Sequence, residues 1–147
     1  VDVGFVGEVC GVDTRQILDC ISNNITPVIS PTAMDEEGNI YNCNADVAAA
    51  QVAVALKARR LVFMSDVPGL MRDINDPTSL IPRVQIEEVE ELKKKGIIES
   101  GMIPKMDSAV KAIRAGVEKV SLVDGRMPHS VMLEIFTHAG VGTELVI

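Results

Sequence analysis

The sequence LVFM at Leu61–Met64 runs directly into SDVPGL at Ser65–Leu70. A continuous apolar run of this kind is typical of a strand that is buried on both faces, as in a parallel sheet. The polar residue that leaves the strand and the Pro68-Gly69 pair predict a loop. Ligands of open α/β sheets collect where the carboxyl ends of strands lead into loops. This stretch therefore predicts a parallel α/β fold and a first candidate ligand site.

Strand-like and helix-like patterns alternate along the rest of the chain. Strands are expected at 26–30, 40–43, 61–64, 117–123 and 144–147, with one or two short extended pieces at 1–9. Helices are expected at about 13–23, from 44 or 46 to about 57, and at 86–95, 104–115 and 128–136. The turn residues at 35–39 predict a hairpin that leads into 40–43, and two prolines in 75–83 predict an irregular segment. Alternation of this kind predicts a three-layer αβα sandwich around a mainly parallel sheet.

The composition is that of a single globular domain of 147 residues. Its 47% hydrophobic content supplies a core, and its net charge of −7 argues against nucleic acid as a partner but allows a small phosphate ligand. Three cysteines without a pairing pattern predict a reducing compartment, the cytoplasm. The longest charge-free apolar stretch of helical appearance, Val47–Leu56, is too short for a membrane span. Because the chain begins within structured-looking sequence, without Met or a signal peptide, we expect a fragment.

Two asparagines and an aspartate surround the end of the strand expected at 40–43. Asn42 and Asn44 stand two apart, so on an extended strand their side chains point to the same side. Two amides beside the start of a helix are suited to binding a small polar substrate. The alternative is that Asn44 and Asp46 only cap the helix, which is the commoner role of these residue types.

Two further junctions have features of a nucleotide or phosphate site. Ser65–Met71 includes Gly69, which permits close backbone approach, although a plain Pro-Gly turn explains the same residues. Near 96–105, small residues lead into Pro104, favoured at the first position of a helix, and Lys105 follows. A lysine at a helix N-terminus suits phosphate oxygens and is otherwise disfavoured by the helix dipole; the alternative is an exposed surface lysine. The sequence contains no cluster of His and Cys with metal-ligand spacing.

Six stretches together resemble the N-acetylglutamate kinases, a family of the amino acid kinase superfamily. They are GFVGEV at Gly4–Val9, YNCNAD at Tyr41–Asp46, SDVPGL at Ser65–Leu70, GIIESGMIPK at Gly96–Lys105, DGRMPH at Asp124–His129 and GVGTELV near the end. One such motif is weak, but six in the family's order and spacing are specific. The resemblance implies the amino acid kinase fold, with residues 1–147 as its C-terminal, nucleotide-binding lobe.

The resemblance also implies an activity and roles for individual residues. The activity is transfer of the γ-phosphate of ATP, used with Mg²⁺, to the side-chain carboxylate of N-acetyl-L-glutamate in arginine biosynthesis. Lys105 matches a lysine that neutralises charge on the transferring phosphoryl group, and Asp46 matches an aspartate that organises the catalytic lysines. Asn42 matches an asparagine that contacts the acetylated substrate, and Asn44 lies in the same motif. The residues that match segments lining the nucleotide are Asp66, Val67, Pro68, Gly69, Leu70, Met71, Ile97, Ile98 and Glu99.

The sequence departs from the family in what it lacks. The family's first half supplies a second lysine, glycine-rich phosphate loops and the residues that hold N-acetylglutamate, and none of these occurs here. We therefore expect the isolated chain to bind nucleotide weakly and to turn over little or nothing, and the full-length protein to form a homo-oligomer. Glu134 and Gly140 match residues that bind the effector arginine, but Ser121 stands where a histidine is usual, so feedback inhibition stays open.

Two alternatives are kept. One is another amino acid kinase, acting on glutamate, aspartate, carbamate or UMP; YNCNAD and GMIPK together favour the acetylglutamate branch. The other is a non-catalytic module that binds nucleotide or arginine and regulates a partner.

Overall fold

The computed structural model describes residues 4–99 and 101–147. The helices in this part of the chain are α1 (Arg15–Ser22), α2 (Ala45–Ala55), α3 (Val89–Lys94), α4 (Ile103–Arg114) and α5 (Ser130–Phe136). The strands are β1 (Thr32–Met34), β2 (Ile40–Asn42), β3 (Arg60–Ser65), β4 (Arg83–Gln85), β5 (Lys119–Asp124) and β6 (Thr143–Val146). Short 3₁₀ turns lie at Pro77–Ser79 and Ile86–Glu88. No described helix combines the length and the apolar character that crossing a bilayer requires.

The main sheet has four strands in the order β3-β5-β6-β4. β3 and β5 pair in parallel from Arg60 opposite Lys119 to Ser65 opposite Asp124. β4 also pairs in parallel with β6, whereas β6 runs antiparallel to β5. The expected α/β class with a mainly parallel sheet is confirmed.

Alternation along β5 separates the two faces of this sheet. Val120 and Leu122 belong to the main core together with residues of α2 and α4, such as Ala53 and Met106. Ser121 is fully buried on the other face, where α5 packs against β5. Helices therefore cover both faces, which is the predicted three-layer arrangement. The hydroxyl of Ser121 has no hydrogen-bond partner among the described residues.

The helix α4 follows its sequence pattern closely. Met106, Ala109 and Ile113 recur every three or four residues, and each is at most 1% exposed. Gly116, at φ 108°, follows the end of the helix, where a side chain would be strained. The helix begins at Ile103, one residue before the prediction, so Pro104 is its second residue and Lys105 its third.

The strand expected at 26–30 is wrong. None of the described strands pairs with this segment, and the side chain of Val28 is 96% exposed. A strand needs a neighbour to satisfy its backbone N–H and C=O groups, and the described part of the chain supplies none here. The expected hairpin is confirmed just downstream, where β1 and β2 pair across the turn at 35–39.

Other differences are smaller. The segment 75–83 is mostly irregular, as expected, but its last residue opens β4, a three-residue strand that was not predicted. Of the extended pieces expected at 1–9, residues 1–3 lie outside the described residues, and Val6 forms a single parallel bridge with Asn42. α1 forms as predicted, yet none of its residues is buried, and Leu18 and Ile21 are about half exposed.

Candidate functional site

The two predicted nucleotide segments line one cavity of about 700 Å³. Its walls are the loop that follows β3 and the segment that leads into α4, and it is lined by residues 65–67, 69–74, 96, 97, 99, 101, 102 and 105. Most of the predicted nucleotide-lining residues are therefore brought together. Ile98 is an exception, since it packs in the main core at 2% exposed, and Pro68 does not line the cavity.

Lys105 lies at the edge of this cavity, near the start of α4. Its Nζ donates a hydrogen bond to Asp46 Oδ1 at 2.6 Å and stands 4.9 Å from the centre of the Phe63 ring. The side chain is only 16% exposed, so the alternative of a solvated surface lysine is wrong. An ion pair and an aromatic face thus hold one ammonium group in the lining of the cavity.

The two residues considered as helix caps have different roles. Asn44 Oδ1 accepts hydrogen bonds from the backbone N–H groups of Asp46 at 3.0 Å and Val47 at 3.1 Å, so Asn44 is the cap of α2. Asp46 is instead the partner of Lys105, and the close packing of α2 against α4 brings the two together. Asn42 ends β2 with an exposed side chain and takes no part in this ion pair.

The loop at 65–71 is anchored at several points. Ser65 Oγ accepts a hydrogen bond from Val67 N–H at 3.1 Å, and the Ser65 carbonyl accepts one from Gly125 N–H at 2.7 Å. Leu70 N–H donates to Thr143 Oγ1 at 2.8 Å. Gly69 has φ 150°, and a Cβ placed there would lie 2.5 Å from the same Oγ1. The close backbone approach expected at this glycine is therefore made to the side chain of Thr143.

The DGR motif closes the carboxyl end of β5 beside this loop. Asp124 accepts from the Arg126 guanidinium, with an Nη2 to Oδ2 distance of 2.9 Å. This hydrogen bond is the main reason why the pKa of Asp124 lies below its ordinary value, and a backbone hydrogen bond from Arg126 acts in the same direction. The motif thus forms a turn next to Ser65 in which the carboxylate of Asp124 and the guanidinium of Arg126 pair with each other.

Sequence reasoning missed several residues of the cavity. Arg72, Asp73 and Ile74 continue the lining beyond the predicted end at Met71, and Met102 lines it from the opposite side. Composition gives no signal for Arg72, Asp73 and Ile74, whereas Met102 lies within the GIIESGMIPK motif. Thr143 lay within the quoted GVGTELV motif, but its contact with a loop 73 residues away is visible only in the fold.

A second cavity of about 390 Å³ lies at the predicted effector site for arginine. Glu134 and Gly140 both line it, as do Arg60, Lys119 and Glu144 of the sheet. Glu134 Oε2 accepts hydrogen bonds from two backbone N–H groups of the loop before β6, and a Cβ at Gly140, at φ 63°, would lie 2.6 Å from this oxygen. The two predicted effector residues are therefore in contact with each other.

No cluster of three or more His, Cys, Asp or Glu side chains in residues 4–99 and 101–147 is arranged to hold a metal ion.

Comparisons with known proteins agree with this geometry. The sequence model described as "Amino acid kinase family" matches residues 1–124. The acetylglutamate kinase of Archaeoglobus fulgidus is 46% identical over 143 residues, which are 97% of this chain and 49% of that protein. The chain thus spans about half the length of the curated relatives it matches.

Solved structures give the same result. N-acetylglutamate synthase from Neisseria gonorrhoeae, complexed with coenzyme A and L-arginine, superposes with a TM-score of 0.88 at 26% identity, over 99% of this chain and 33% of that one. Carbamate kinase from Giardia lamblia, bound to AMP-PNP, has a TM-score of 0.68 at 19% identity, over 92% of this chain and 44% of that one, which shows a shared fold alone. From the sequence match and the shared fold together, the chain belongs to the amino acid kinase family.

Proposed function

We propose that this chain is the ATP-binding half of an acetylglutamate kinase, and that the full-length protein transfers the γ-phosphate of ATP to the side-chain carboxylate of N-acetyl-L-glutamate. The observation that carries the proposal is the Lys105–Asp46 pair at the edge of the 700 Å³ cavity. The names of the curated relatives support it, since they are acetylglutamate kinases at 45–48% identity.

The chemistry asks for little more than positioning and charge neutralisation. Phosphoryl transfer passes through a transition state whose charge is spread over the transferred oxygens, so a fixed cation near the transferred group lowers the barrier. Lys105 is such a cation, and Asp46 holds its Nζ in place at 2.6 Å. A carboxylate acceptor is already a nucleophile and needs no strong general base. The cavity matches these requirements, because Lys105 supplies the cation and the acceptor needs no base from the protein.

Mg²⁺ belongs to the same proposal, as the ion that accompanies ATP. Mg²⁺ is usually bound by one or two carboxylates together with the phosphates of the substrate, not by a complete protein cage. Asp66 and Glu99 line the cavity, so the donor types present fit this mode. The ion would supply further neutralisation of phosphate charge.

Asn42 and Asn44 are proposed to face the acetylated substrate. Asn44 Oδ1 is already occupied by two backbone N–H groups of α2, which leaves its amide N–H₂ for a ligand. Asn42 has an exposed side chain, and within the described part of the chain its amide oxygen and its amide N–H₂ have no hydrogen-bond partner, so both are available to a ligand. Asn42 is thus the better candidate for direct substrate contact.

The rest of the substrate site is proposed to lie in a half of the protein that these 147 residues do not contain. The region 5–40 exposes several large apolar side chains, which the surface of a complete soluble protein rarely does. They are Phe5, Leu18, Ile21, Val28, Met34 and Ile40. The unpaired segment 26–30 lies in the same region. We expect the missing lobe to cover this surface, and the isolated chain to turn over little or nothing. A robust rate of ADP formation from ATP and N-acetylglutamate by the isolated chain would contradict this expectation.

The test of the proposal is Lys105→Ala in the full-length protein. We expect kcat to fall by at least about a hundredfold, with little change in the KM for N-acetylglutamate, because the interaction is made with the transferring phosphate. Lys111→Ala is the matched control, since Lys111 is an exposed lysine in the last turn of the same helix. Unchanged turnover in Lys105→Ala would remove Lys105 from the mechanism.

A second function, binding of arginine as an effector, is favoured by the cavity beside Glu134. Oε2 of Glu134 is occupied by the backbone, but Oε1 is available to a guanidinium ligand. The solved Neisseria gonorrhoeae relative is a complex with L-arginine. Calorimetric titration with L-arginine tests this, and L-citrulline, which carries a neutral urea group, is the control. Equal or absent binding of the two would exclude a site built for the guanidinium.

The compartment and the assembly of the full-length protein complete the proposal. Cys10, Cys20 and Cys43 are all free thiols, which supports a reducing compartment, the cytoplasm. Assembly into a homo-oligomer stays a prediction from the family resemblance, and light scattering on the full-length protein would test it.

A further inference from the structure

The side chain of Thr143 joins two segments that are distant in sequence. Thr143 is the first residue of β6 and has no exposed surface. Its Oγ1 accepts a hydrogen bond from Leu70 N–H at 2.8 Å and donates one to the Ile81 carbonyl at 2.7 Å. A single hydroxyl therefore ties the 65–71 loop to the chain that enters β4.

The same loop is held from two more sides. The Leu70 carbonyl accepts a hydrogen bond from Ile81 N–H at 2.8 Å. Gly69 packs so closely on the hydroxyl that only the absence of a side chain permits the contact. Leu70 is 1% exposed and Ile81 is 8% exposed, so water cannot readily replace the threonine as a partner. The Thr143 hydroxyl is thus one of the contacts that fix the loop backbone, and the one made by a side chain at Leu70.

We propose that Thr143 is a positioning residue for nucleotide binding, acting through Leu70 and Gly69 on the loop that forms one wall of the cavity. Thr143 itself does not line the cavity, whereas Val67, Leu70 and Met71 do. Removal of the hydroxyl leaves the Leu70 N–H and the Ile81 carbonyl without their partner, and the loop must move for either to find water. The inference rests on the proposed function of this loop as a nucleotide site.

The experiment compares three variants of the full-length protein. Thr143→Val has the same shape but no hydroxyl, and Thr143→Ser restores the hydroxyl without the methyl group. Ser130→Ala is the matched control, because it removes a buried hydroxyl from α5, on the opposite face of the sheet. The Kd for the fluorescent nucleotide MANT-ADP with Mg²⁺ is measured at a temperature where all variants are folded by circular dichroism.

We expect Thr143→Val to weaken MANT-ADP binding about tenfold, which corresponds to about 1.4 kcal/mol. Thr143→Ser is expected to bind within about threefold of the parent chain, and Ser130→Ala to bind like the parent. In the nucleotide-free chain, amide exchange followed by NMR should show that Leu70 N–H loses protection in Thr143→Val and keeps it in Thr143→Ser.

The outcomes separate the inference from the proposed function. A full-length parent protein that binds no MANT-ADP overturns the nucleotide site and the inference with it. If the parent binds, a Thr143→Val chain that melts at a lower temperature but binds with the parental Kd overturns the inference alone, since a purely structural threonine behaves in this way. Undiminished protection of the Leu70 amide in Thr143→Val overturns it as well.

Discussion

Replacing Gly69 by Ala tests whether the 65–71 loop is packed as tightly as the structure indicates. Two costs are expected. The backbone at Gly69 has φ 150°, where a residue with a side chain is strained by about 1–3 kcal/mol. The new Cβ would also lie 2.5 Å from Thr143 Oγ1 and 3.0 Å from Leu80 Cδ1. The hydroxyl must therefore move and give up at least one buried hydrogen bond.

Leaving a buried donor or acceptor unpaired costs about 1–3 kcal/mol. Together with the strain, we expect Gly69→Ala to lower the free energy of unfolding by about 2–6 kcal/mol. The free energy of unfolding of a small domain is about 5–15 kcal/mol in total, so adding this single methyl group removes a large share of the stability. The assay is urea unfolding at 25 °C followed by far-ultraviolet circular dichroism, with linear extrapolation to water.

Two other glycines serve as controls that separate the backbone strain from the steric contact with Thr143. Gly96 has φ 70° but no atom within 4 Å of an added Cβ, so Gly96→Ala should lose only the strain, about 1–2 kcal/mol. An added Cβ at Gly11 likewise meets no atom within 4 Å, and φ there is not positive, so Gly11→Ala should be neutral or slightly stabilising. If Gly69→Ala loses no more than Gly96→Ala, the close contact with Thr143 does not exist and the reasoning fails.

Three further changes test other contacts. Phe63→Leu removes the aromatic face beneath Lys105, and we expect ATP affinity to fall about two- to fivefold in a titration, with Lys111→Ala as the unaffected control. The hydrogen bond from Arg15 lowers the pKa of Asp13 from 3.8 to about 2. This exposed pair therefore adds stability above pH 3.8 that is lost as the pH falls towards 2; carbon NMR of the Asp13 carboxyl should titrate near 2, and Arg15→Ala should return it towards 3.8. Hydrogen bonds from Lys93 to Asp107 of α4, at 2.6 Å, and then to Glu90, at 2.7 Å, raise the pKa of Lys93 above 10.5. Lys93→Met should therefore lower the free energy of unfolding by about 1 kcal/mol in urea at pH 7, and an unchanged midpoint would show that these two ion pairs add nothing.

The elements that were predicted from the sequence are those whose patterns are local. Helix α4 has apolar residues that recur every three or four positions and a glycine after its end, and both signals lie within the helix and its flanks. Strand β3 is a continuous apolar run that stands out in any context. Lys105 was selected for a local reason too, since a lysine in the first turn of a helix is placed against the helix dipole.

The features that were missed depend on partners far along the chain. The segment 26–30 has the composition of a strand, but a strand forms only beside another strand, and sequence does not show whether one is present. The reverse holds for β4. Its three residues carry no strand pattern in the sequence, and they form a strand because β6 lies beside them. The pairing of Asp46 with Lys105 spans 59 residues, so capping was the natural prediction for Asp46 from its neighbours alone.

The environment of Lys105 argues for a ligand more strongly than the identity of the residue does. At the third position of α4 its charge is opposed by the N-terminal end of the helix dipole, and its limited exposure costs hydration. Asp46 and the Phe63 ring offset these costs, and no second acceptor among residues 4–99 and 101–147 takes the remaining donors of the ammonium group. We therefore expect Lys105 to bind an anion, because it is a cation held in place beside a cavity, and the ATP phosphates are the anions that the proposed reaction brings to it.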